Sequence, residues 1–449
     1  MSTDTQLPPG SRYPVALSTL GWALRPMPFM ERLQKRYGDM FTIRIMQEGT
    51  WVFVSHPDQI KQVFTGDPNV LHAGAANQIL LPIVGRHSVL LLDEREHMTQ
   101  RKLLLPPFHG ERMQRYGELM TDVAEREVAT WPQGEDIALW PRMQSVTLEV
   151  IMRAVFGIRE TDRLDELRVR LSTMLDWTLD PKQMLFYAAL GPKRVQEKAA
   201  FRRVMDPVDE ILLDEVRRRR EDPEVEQRDD ILSLLVQARH EDGRPMGDRE
   251  LRDELMTLLV AGHETTATSL AWALERLMRH PEMLDRLREE VATGEDAYLD
   301  AVVRETLRLR PVLPITLRKL QQPMEIGGYM LPAGVSVAPC IHLVHRRPDI
   351  YPEPNRFRPE RFLEQAPGTY TWIPFGGGVR RCLGASFALF EMKTVLAAVI
   401  RRARLRATDP APERVARRAI TLTPGAGTRA MIDAVEPARD EAELAGVAS

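Results

Sequence analysis

The sequence predicts a mainly helical protein with small β-sheets, an α+β chain that forms one large domain. Helical periodicity dominates from Glu94 to about Glu295, in the middle of the chain. Strand and turn patterns are short and lie towards the two ends. A length of 449 residues would allow two or three ordinary domains. No internal repeat, linker or change of composition divides the chain, so we expect a single unit.

The N-terminal part is predicted to combine helices with a hairpin. Short helices are expected near Pro28–Tyr37 and at Pro57–Phe64. Between them, FTIRIM and WVFVSH alternate or run apolar around the turn Gln47–Thr50, a pattern typical of two paired strands. Residues 65–93 mix Pro, Gly and Asn and predict a long loop, which in a compact domain is usually functional or mobile.

The longest helix is predicted from Asp248 to about Arg279, with Asp248 as its N-cap and Pro281 as its stop. A second helix is predicted from about Ala297 to residue 310, where a proline follows. The helix boundaries here rest on these capping and breaking residues, because periodicity alone does not define where a helix ends.

The C-terminal third is predicted to return to strands and turns. MEIGGYMLPAGVSVAP reads as strands, and residues 351–381 are Pro- and Gly-rich with almost no periodicity. A long helix is predicted from Cys382 to about Arg404, and ITLTPGAGTRAMI reads as a hairpin with Pro424–Gly427 at its tip. The last residues are small and charged, which predicts disorder. The expected divisions are a leader, one domain and a disordered tail: 1–20, 21–433 and 434–449.

Composition and charge exclude several classes of function. The chain has 61 Lys plus Arg against 64 Asp plus Glu, and a net charge of −3 gives no overall electrostatic reason to bind nucleic acid or an anionic membrane. The basic run Arg217–Arg220 is interpreted as a solvated helix end. No signal-like leader and no apolar run of about 20 residues is present, so we expect a cytoplasmic protein without a membrane anchor.

One of the only two cysteines, Cys382, lies in the segment FGGGVRRCLG. Positive charge from Arg380 and Arg381 and a helix N-terminus would both stabilise a thiolate. A nucleophile would need a base, and no histidine lies within thirty residues of Cys382. A dithiol would need Cys340, which is predicted to be buried. Zinc would need further ligands, whereas a single thiolate can be the axial ligand of haem iron; a purely structural cysteine also fits.

Four motifs together resemble the cytochrome P450 family. Phe375, Gly378, Arg380, Cys382 and Gly384 fill every fixed position of its haem-binding loop, Phe-x-x-Gly-x-Arg-x-Cys-x-Gly. ETLR, PERF and AGHETT resemble three further family motifs, and all four occur in the family's order. The resemblance implies one helix-rich globule around one haem b, held between a long distal helix and the proximal helix that follows the cysteine loop. It implies Cys382 as the only iron ligand from the protein.

Glu305 and Arg308 of ETLR are three residues apart, so they can touch on one helix face. Spacing alone favours an exposed ion pair worth less than about 1 kcal/mol. The resemblance implies instead that the pair is buried and that Arg361 of PERF completes a triad. Such a triad would lock the segment that leads to the cysteine loop.

AGHETT is predicted to lie in the middle of the longest helix. Ala261 and Gly262 could allow close helix packing, or they could leave room for a flat macrocycle and an oxygen molecule. Thr265 can bond backbone or a bound water. The resemblance implies that Thr265 and Glu264 deliver protons to the oxygen chemistry, and that Ala261 lies against the haem.

The resemblance also implies groups that bind the haem propionates: His97, Arg101, Arg318 and Arg380. On spacing alone, His97 and Arg101 would form a solvated helix face, although arginine suits carboxylates by its forked geometry. His345 lies where the family sometimes has a polar residue facing the haem. The expected substrate pocket wall is apolar: Val260, Ala261, Pro314 and Ile315. Substrate recognition is expected from the loops near 72–92, 174–194 and 424–427.

The function that the resemblance implies is that of a haem-thiolate monooxygenase. Such an enzyme inserts one oxygen atom from O2 into an apolar small molecule, by hydroxylation or epoxidation of a fatty acid, terpenoid, steroid or polyketide-like compound. The chain has no flavin or iron–sulfur segment, so electrons are expected from a separate ferredoxin and its reductase. Two alternatives stay open, a peroxide-driven enzyme of the same fold and a non-catalytic haem sensor or carrier. We expect a monomer.

Overall fold

The computed structural model describes residues 6–108, 112–157, 161–180, 183 and 190–437. Helices form most of it. Their bounds, numbered in chain order, are α1 Val15–Leu24, α2 Pro26–Tyr37, α3 Pro57–Thr65, α4 Leu81–Val84, α5 Glu94–Leu104, α6 Arg112–Ala129, α7 Leu139–Phe156, α8 Thr161–Leu179, α9 Pro192–Val195, α10 Ala199–Glu221, α11 Ile231–Gln237, α12 Asp248–Met278, α13 Pro281–Thr293, α14 Ala297–Leu309, α15 Ile341–Val344, α16 Arg361–Glu364 and α17 Ala385–Arg402.

Within the described ranges the strands are short and form four small sheets. They are β1 Met40–Ile45, β2 Gly49–Val54, β3 Leu71–His72, β4 Asp136–Ala138, β5 Arg318–Leu320, β6 Met324–Ile326, β7 Tyr329–Leu331, β8 Ser336–Pro339, β9 Ala403–Ala407, β10 Val415–Arg418, β11 Thr421–Pro424 and β12 Arg429–Val435. The largest sheet has the order β1-β2-β8-β5-β3, and the smaller ones are β4-β12-β9, β10-β11 and β6-β7. This mainly helical architecture with small sheets is the predicted fold class.

The predicted N-terminal hairpin is present as β1 and β2, which pair antiparallel with Met40 opposite Val54. Its turn is tight because Gln47 and Gly49 both adopt positive φ, 67° and 83°. β2 also pairs with β8 in parallel, so the hairpin is joined to the C-terminal half of the chain. The stacked rings of Phe41 and Phe53, 5.0 Å apart, fill the space under this sheet.

Helix α12 packs against four other helices, α7, α10, α14 and α17. It spans 31 residues, most of which are buried. The predicted N-cap Asp248 is wrong by one position, because Gly247 precedes the helix and donates its backbone N–H to the Glu250 carboxylate at 3.0 Å. At the other end the helix stops at Met278, and Pro281 begins α13.

Two predicted elements differ from the structure at functionally relevant places. The helix expected to begin at Cys382 begins three residues later, at Ala385. The backbone N–H of Cys382 instead donates to the Phe375 carbonyl at 3.0 Å, so this residue belongs to the loop. The C-terminal hairpin is also wrong, because β11 pairs with β10 and β12 pairs with β4 and β9. The Glu413 carboxylate redirects the chain between β11 and β12 by accepting from the backbone N–H groups of residues 426 and 428.

At both ends, more residues belong to the folded domain than the sequence predicts. The backbone N–H of Gln6 donates to the Met330 carbonyl, Gly10 bridges to Thr42, and α1 crosses the expected boundary at residue 20. Strand β12 continues to Val435, beyond the expected domain end. The expected disorder of the tail falls mostly on 438–449, which lie outside the described residues. Residues 65–93, expected to be a loop, contain β3, a 3-10 turn and α4.

No helix in the described part of the chain is both long enough and apolar enough to cross a membrane.

Candidate active site around Cys382

The cysteine loop packs directly against the C-terminal end of α3. Gly376 and Gly378 adopt φ of 67° and 65°, which residues with a Cβ rarely do. A Cβ at position 378 would also lie 2.0 Å from the Phe64 carbonyl oxygen, and one at 377 would lie 2.2 Å from the Phe64 ring. Glycine is therefore required here both by backbone conformation and by close approach.

Cys382 itself is accessible to solvent on one side, yet protein surrounds it on the others. This burial raises the pKa of its thiol above the usual value, while the backbone N–H of Gly384 and the charges of Arg101 and Arg381 oppose the rise. Of the two predicted cations, Arg381 acts on the thiol, whereas Arg380 pairs with Asp93 and Arg101 acts in its place. These charges do not by themselves make the free thiol acidic. A metal bound to the sulfur would supply the missing stabilisation of the thiolate.

Cys340 has a different environment. It is fully buried, with its Sγ 3.5 Å from Met30 Sδ and 3.8 Å from the Pro314 carbonyl oxygen. Burial raises the pKa of this thiol to about 12. The prediction of a buried, inert cysteine is confirmed, and Cys382 is the accessible thiol of the pair.

Cationic and hydrogen-bonding side chains from three parts of the chain gather near Cys382. His97 and Arg101 come from α5, Arg318 begins β5, and Arg380 precedes the cysteine. Burial, and then the positive charges of Arg380, Arg101 and Arg318, lower the pKa of His97 to about 3. Its imidazole is therefore neutral at any physiological pH. Burial likewise lowers the pKa of Arg318 and of Arg380 to about 10, which leaves both charged.

Among the described residues whose charges act on these groups, Asp93 is the one carboxylate. It already has ion-pair and hydrogen-bond partners. It pairs with Arg380, which also donates to the carbonyls of Val89 and Leu92. Its two oxygens accept from the backbone N–H groups of residues 74 and 75 at 2.8 Å. The buried or half-buried guanidinium groups are those of Arg101, Arg318 and Arg380, and Asp93 acts on the last two. This excess of positive charge suits a ligand that carries two carboxylates.

The residues present therefore fit haem. One accessible thiol can bind iron, and a neutral histidine with three arginines can hold two propionates. The described residues contain no cluster of three or more His, Cys, Asp or Glu that could hold a metal ion.

Glu305, Arg308 and Arg361 are brought together in the interior. Glu305 and Arg308 are both fully buried on α14, with two hydrogen bonds of 2.7 and 2.8 Å between their side chains. Arg361 donates to Glu305 at 3.1 Å. The Glu305 carboxylate also accepts from the backbone N–H of Arg358. This triad ties α14 to the irregular segment that leads to the cysteine loop.

His345 belongs to the surroundings of this triad. Its carbonyl accepts from Arg308 at 2.7 Å, and its Nε2 accepts from the backbone N–H of Ile373 at 2.8 Å. Burial is the main cause that holds the pKa of His345 well below its usual value. The ring of His345 thus bonds backbone on both sides, the Ile373 N–H before the cysteine loop and the Arg308 carbonyl on α14, and these contacts join the two segments.

The middle of α12 carries one accessible stripe on an otherwise buried helix. Ala261 is exposed, and Leu258 and Thr265 are half-buried, at the i, i+3 and i+7 spacing of one face. The Thr265 hydroxyl donates to the Ala261 carbonyl at 2.7 Å. Gly262 has a packing role as well, since a Cβ there would lie 3.1 Å from Ile151 Cδ1 of α7.

Glu264 is buried and turns to partners that the sequence does not reveal. Its Oε2 accepts from Gln144 at 2.9 Å, and its Oε1 lies 3.9 Å from Arg418. Arg418 in turn donates to Asp176 on α8, whose side chain is exposed. Burial raises the pKa of Glu264, and the Arg418 charge and the Gln144 hydrogen bond oppose the rise. No local signal predicts this connection, because its members are distant in sequence.

The residues expected to form the pocket wall lie in different surroundings. Val260 is half-buried beside exposed Ala261 on α12. Pro314 is buried, and its carbonyl accepts from the backbone N–H of His342. Ile315 packs at the edge of the aromatic cluster under the large sheet. The loop near 174–194 lies partly outside the described residues.

A family model, curated relatives and solved structures that resemble this chain all point to one family. The family model described as Cytochrome P450 matches residues 7–427. A putative cytochrome P450 135B1 of Mycobacterium bovis is 42% identical over 436 residues, which cover 95% of this chain and 92% of the relative. A putative cytochrome P450 137 of Mycobacterium tuberculosis is 40% identical over 402 residues, 89% of this chain and 84% of the relative. Among solved structures, retinoic acid-bound cyanobacterial CYP120A1 has a TM-score of 0.83 at 23% identity, covering 96% of this chain and 100% of that one.

Proposed function

This chain belongs to the cytochrome P450 family of haem-thiolate monooxygenases, and we propose that it oxidises an apolar small molecule with electrons from a ferredoxin. The observation that carries the proposal is the accessible thiol of Cys382 beside a buried excess of positive charge. Haem, when bound, supplies the activation of O2, by which one oxygen atom enters the substrate and the other is reduced to water. The protein's residues bind, orient and supply protons.

We assign Cys382 as the iron ligand. Cys382 is an exposed residue whose sulfur receives a hydrogen bond from the backbone N–H of Gly384, whereas Cys340 is enclosed by core residues. His97, Arg101, Arg318 and Arg380 are assigned to the two propionates. A neutral His97 would donate one hydrogen bond, and the arginines would neutralise the two carboxylates.

The carbon-monoxide spectrum of the reduced protein tests the ligand. With Cys382 as ligand, Cys382→Ala should abolish the red-shifted band that a thiolate gives. Cys340→Ala is the matched control, since it removes the other thiol, and it should keep the band. A band that survives Cys382→Ala would overturn the assignment.

Thr265 and Glu264 are proposed to supply protons from the distal side. The Thr265 hydroxyl lies on the accessible stripe of α12, where it can rotate from the Ala261 carbonyl to hold a water molecule. Glu264 is held by Gln144 near Arg418, which reaches the exposed Asp176. A carboxyl whose pKa is raised keeps its proton at a higher pH than an exposed carboxyl does. Glu264 can therefore hold a proton and pass it on.

The substrate is proposed to be apolar and to lie against Val260, Ala261, Pro314 and Ile315. Fatty acids, terpenoids, steroids and polyketides share this character. A spectral screen of an apolar library tests it, because a ligand that displaces water from the iron shifts the haem absorption. Polar compounds of the same size serve as the control.

Electrons are proposed to come from an acidic ferredoxin that approaches the side of the cysteine loop, where Arg381 is exposed. We expect the protein to be cytoplasmic.

Product formation with O2, ferredoxin and reductase separates this proposal from its alternatives. Product with hydrogen peroxide alone would favour a peroxygenase, and haem binding without turnover would favour a sensor or carrier.

A further inference from the structure

His72 is not among the groups assigned to the haem, yet it lies beside them. It ends β3, and its side chain is only 13% exposed. Strand β3 pairs antiparallel with β5, so His72 lies directly opposite Lys319, the residue after Arg318. His72 therefore shares a sheet with Arg318, one of the groups assigned to the propionates.

Two carboxylates face the ring of His72, one at each nitrogen. Its Nε2 lies 3.0 Å from Glu94 Oε1, and its Nδ1 lies 3.5 Å from Asp93 Oδ2. The protonated imidazole carries an N–H at both nitrogens, whereas the neutral ring would turn one lone pair towards a carboxylate oxygen. The arrangement thus fits the cationic form of the ring.

Glu94 reaches the ring through a backbone conformation that residues with a Cβ rarely adopt. Its φ is 50°, in the left-handed region. Such conformations have an energetic cost that the surrounding structure must offset, and they concentrate at functional sites. Glu94 is the first residue of α5, about one turn before His97. The strained residue is therefore adjacent to the groups assigned to the haem.

Asp93 connects His72 to Arg380. Its Oδ1 pairs with Arg380 and accepts from the backbone N–H of residue 74, while its Oδ2 accepts from that of residue 75 and faces His72. Burial lowers the pKa of Arg318 and of Arg380, and the Asp93 charge opposes this effect. A single carboxylate thus stands between the ring of His72 and a guanidinium group assigned to the propionates.

We propose that His72 is a positioning residue that acts through Asp93 on Arg380, and that its protonation is coupled to reduction of the haem. The inference rests on the proposed function, because it requires Arg380 to bind a haem propionate. A proton on His72 adds one positive charge to this side of the site. Positive charge favours ferrous haem, which carries one positive charge fewer than ferric haem. One electron from the ferredoxin and one proton at His72 therefore favour each other's binding.

Redox titration of the full-length holoprotein at different pH tests the inference, because imidazole usually changes its charge between about pH 5 and pH 8. The charged groups that face His72 in the described structure are Asp93, Glu94 and, across the strand pair, Lys319. In the wild type the ferrous-to-ferric ratio at a fixed electrode potential should fall at least about threefold over this range.

Two substitutions separate the charge of His72 from its place in the fold. His72→Gln cannot take up the proton, so its midpoint potential should stay near the high-pH value of the wild type. His72→Lys keeps a positive charge, so its midpoint potential should stay near the low-pH value. A purely structural role would not move the two variants in opposite directions.

The matched control is His240→Gln. His240 Nε2 also lies 3.0 Å from a carboxylate, that of Glu250, and its side chain is 9% exposed, but its described contacts do not reach the groups assigned to the propionates. Its pH profile should equal that of the wild type. The carbon-monoxide spectrum shows which proteins hold haem on the thiolate.

With the thiolate band intact, a wild-type pH profile in either His72 variant would overturn the inference and leave the proposed function standing. A wild-type protein without that band would overturn both.

Discussion

At the scale of single residues, substitution of Thr265 can distinguish a role of its hydroxyl in oxygen chemistry from a role in packing. Its hydrogen bond goes to the Ala261 carbonyl in its own helix, so its loss removes no hydrogen bond to another of the described elements. We predict that Thr265→Ala keeps haem content, substrate binding and reduction by ferredoxin. Product per NAD(P)H should fall while hydrogen peroxide rises, since general acid help typically contributes about 10²–10⁴-fold. The measurement is the ratio of product to reductant consumed.

Thr265→Val keeps the branched shape without the hydroxyl and should uncouple in the same way. Ser269→Ala is the matched control, because the Ser269 hydroxyl makes the same bond to a carbonyl one turn further along α12. It should leave coupling unchanged. Equal product ratios in the wild type and both Thr265 variants would mean that this residue only packs.

Glu254 is a buried carboxyl on α12 that forms no ion pair with any of the described residues. It is fully buried, and its Oε1 accepts from the backbone N–H of Val89 at 2.8 Å, while its Oε2 has no hydrogen-bond partner. Burial raises its pKa to about 8, and the hydrogen bond from Val89 and the nearby amide of Gln100 oppose the rise. Because the unfolded chain has the ordinary value of 4.5, the folded state binds the proton more tightly.

This difference predicts the pH dependence of stability. The stabilisation is fully present below pH 4.5 and is lost as the pH rises towards about 8, at up to about 1.4 kcal/mol per pH unit. Glu254→Gln, which cannot ionise, should gain stability relative to the wild type across that range in denaturant unfolding. Glu289→Gln, at an exposed position, should keep the wild-type slope. Parallel pH profiles for wild type and Glu254→Gln would contradict the prediction.

At the scale of elements, the triad of Glu305, Arg308 and Arg361 joins α14 to the segment before the cysteine loop. We predict that Glu305→Ala lowers the free energy of unfolding by roughly 3–5 kcal/mol, because two buried guanidinium groups lose their counter-charge. The yield of haem-loaded protein should fall with it. Denaturant unfolding and the haem-to-protein absorbance ratio measure the two effects.

Asp300→Ala is the matched control on the same helix. Asp300 pairs with Arg304 at i, i+4 spacing, but both side chains are nearly a third exposed, so the cost should be below about 1 kcal/mol. Equal effects of the two substitutions would mean that the buried triad is no more important than a surface pair.

The elements that sequence predicts well are those with a local cause. The bounds of α12 follow from Gly247, Glu250 and Pro281, which act on their immediate neighbours, and the prediction missed by one residue. Helix α1 was missed because its apolar side chains face outward and give no amphipathic period. The hairpin around residue 424 was wrong because Glu413, distant in sequence, turns the chain away.

The candidate site divides in the same way. Cys382 and its glycines form one contiguous motif, so the sequence identifies the loop. The approach of Phe64, which makes Gly378 necessary, and the contact between Arg418 and Glu264 join distant segments and have no local signature. Spacing also favoured an exposed Glu305–Arg308 pair, whereas burial is decided by the chain that folds over it.

At the scale of the whole molecule, the groups proposed to bind the haem propionates come from both halves of the chain. His97 and Arg101 belong to the N-terminal half, while Arg318 and Arg380 belong to the C-terminal half. Without a ligand, the positive charges of the three arginines repel one another; burial, and then the charge of Arg380, lowers the pKa of Arg318. A ligand that binds only the folded chain stabilises it by about 4 kcal/mol when present at 1,000 times its Kd.

Haem removal should therefore lower the melting temperature, and anions should partly replace the haem propionates. Sulfate stabilises most folded proteins by exclusion from the surface, so the comparison is the difference between the two forms. We predict that sulfate raises the melting temperature of the haem-free protein more than that of the holoprotein, and more than chloride does at equal ionic strength. Arg318→Met, which removes one buried charge of the group, should shrink this difference. Equal responses of both forms to sulfate would mean that the positive charges are compensated within the protein, and that the propionates have no electrostatic role in its stability.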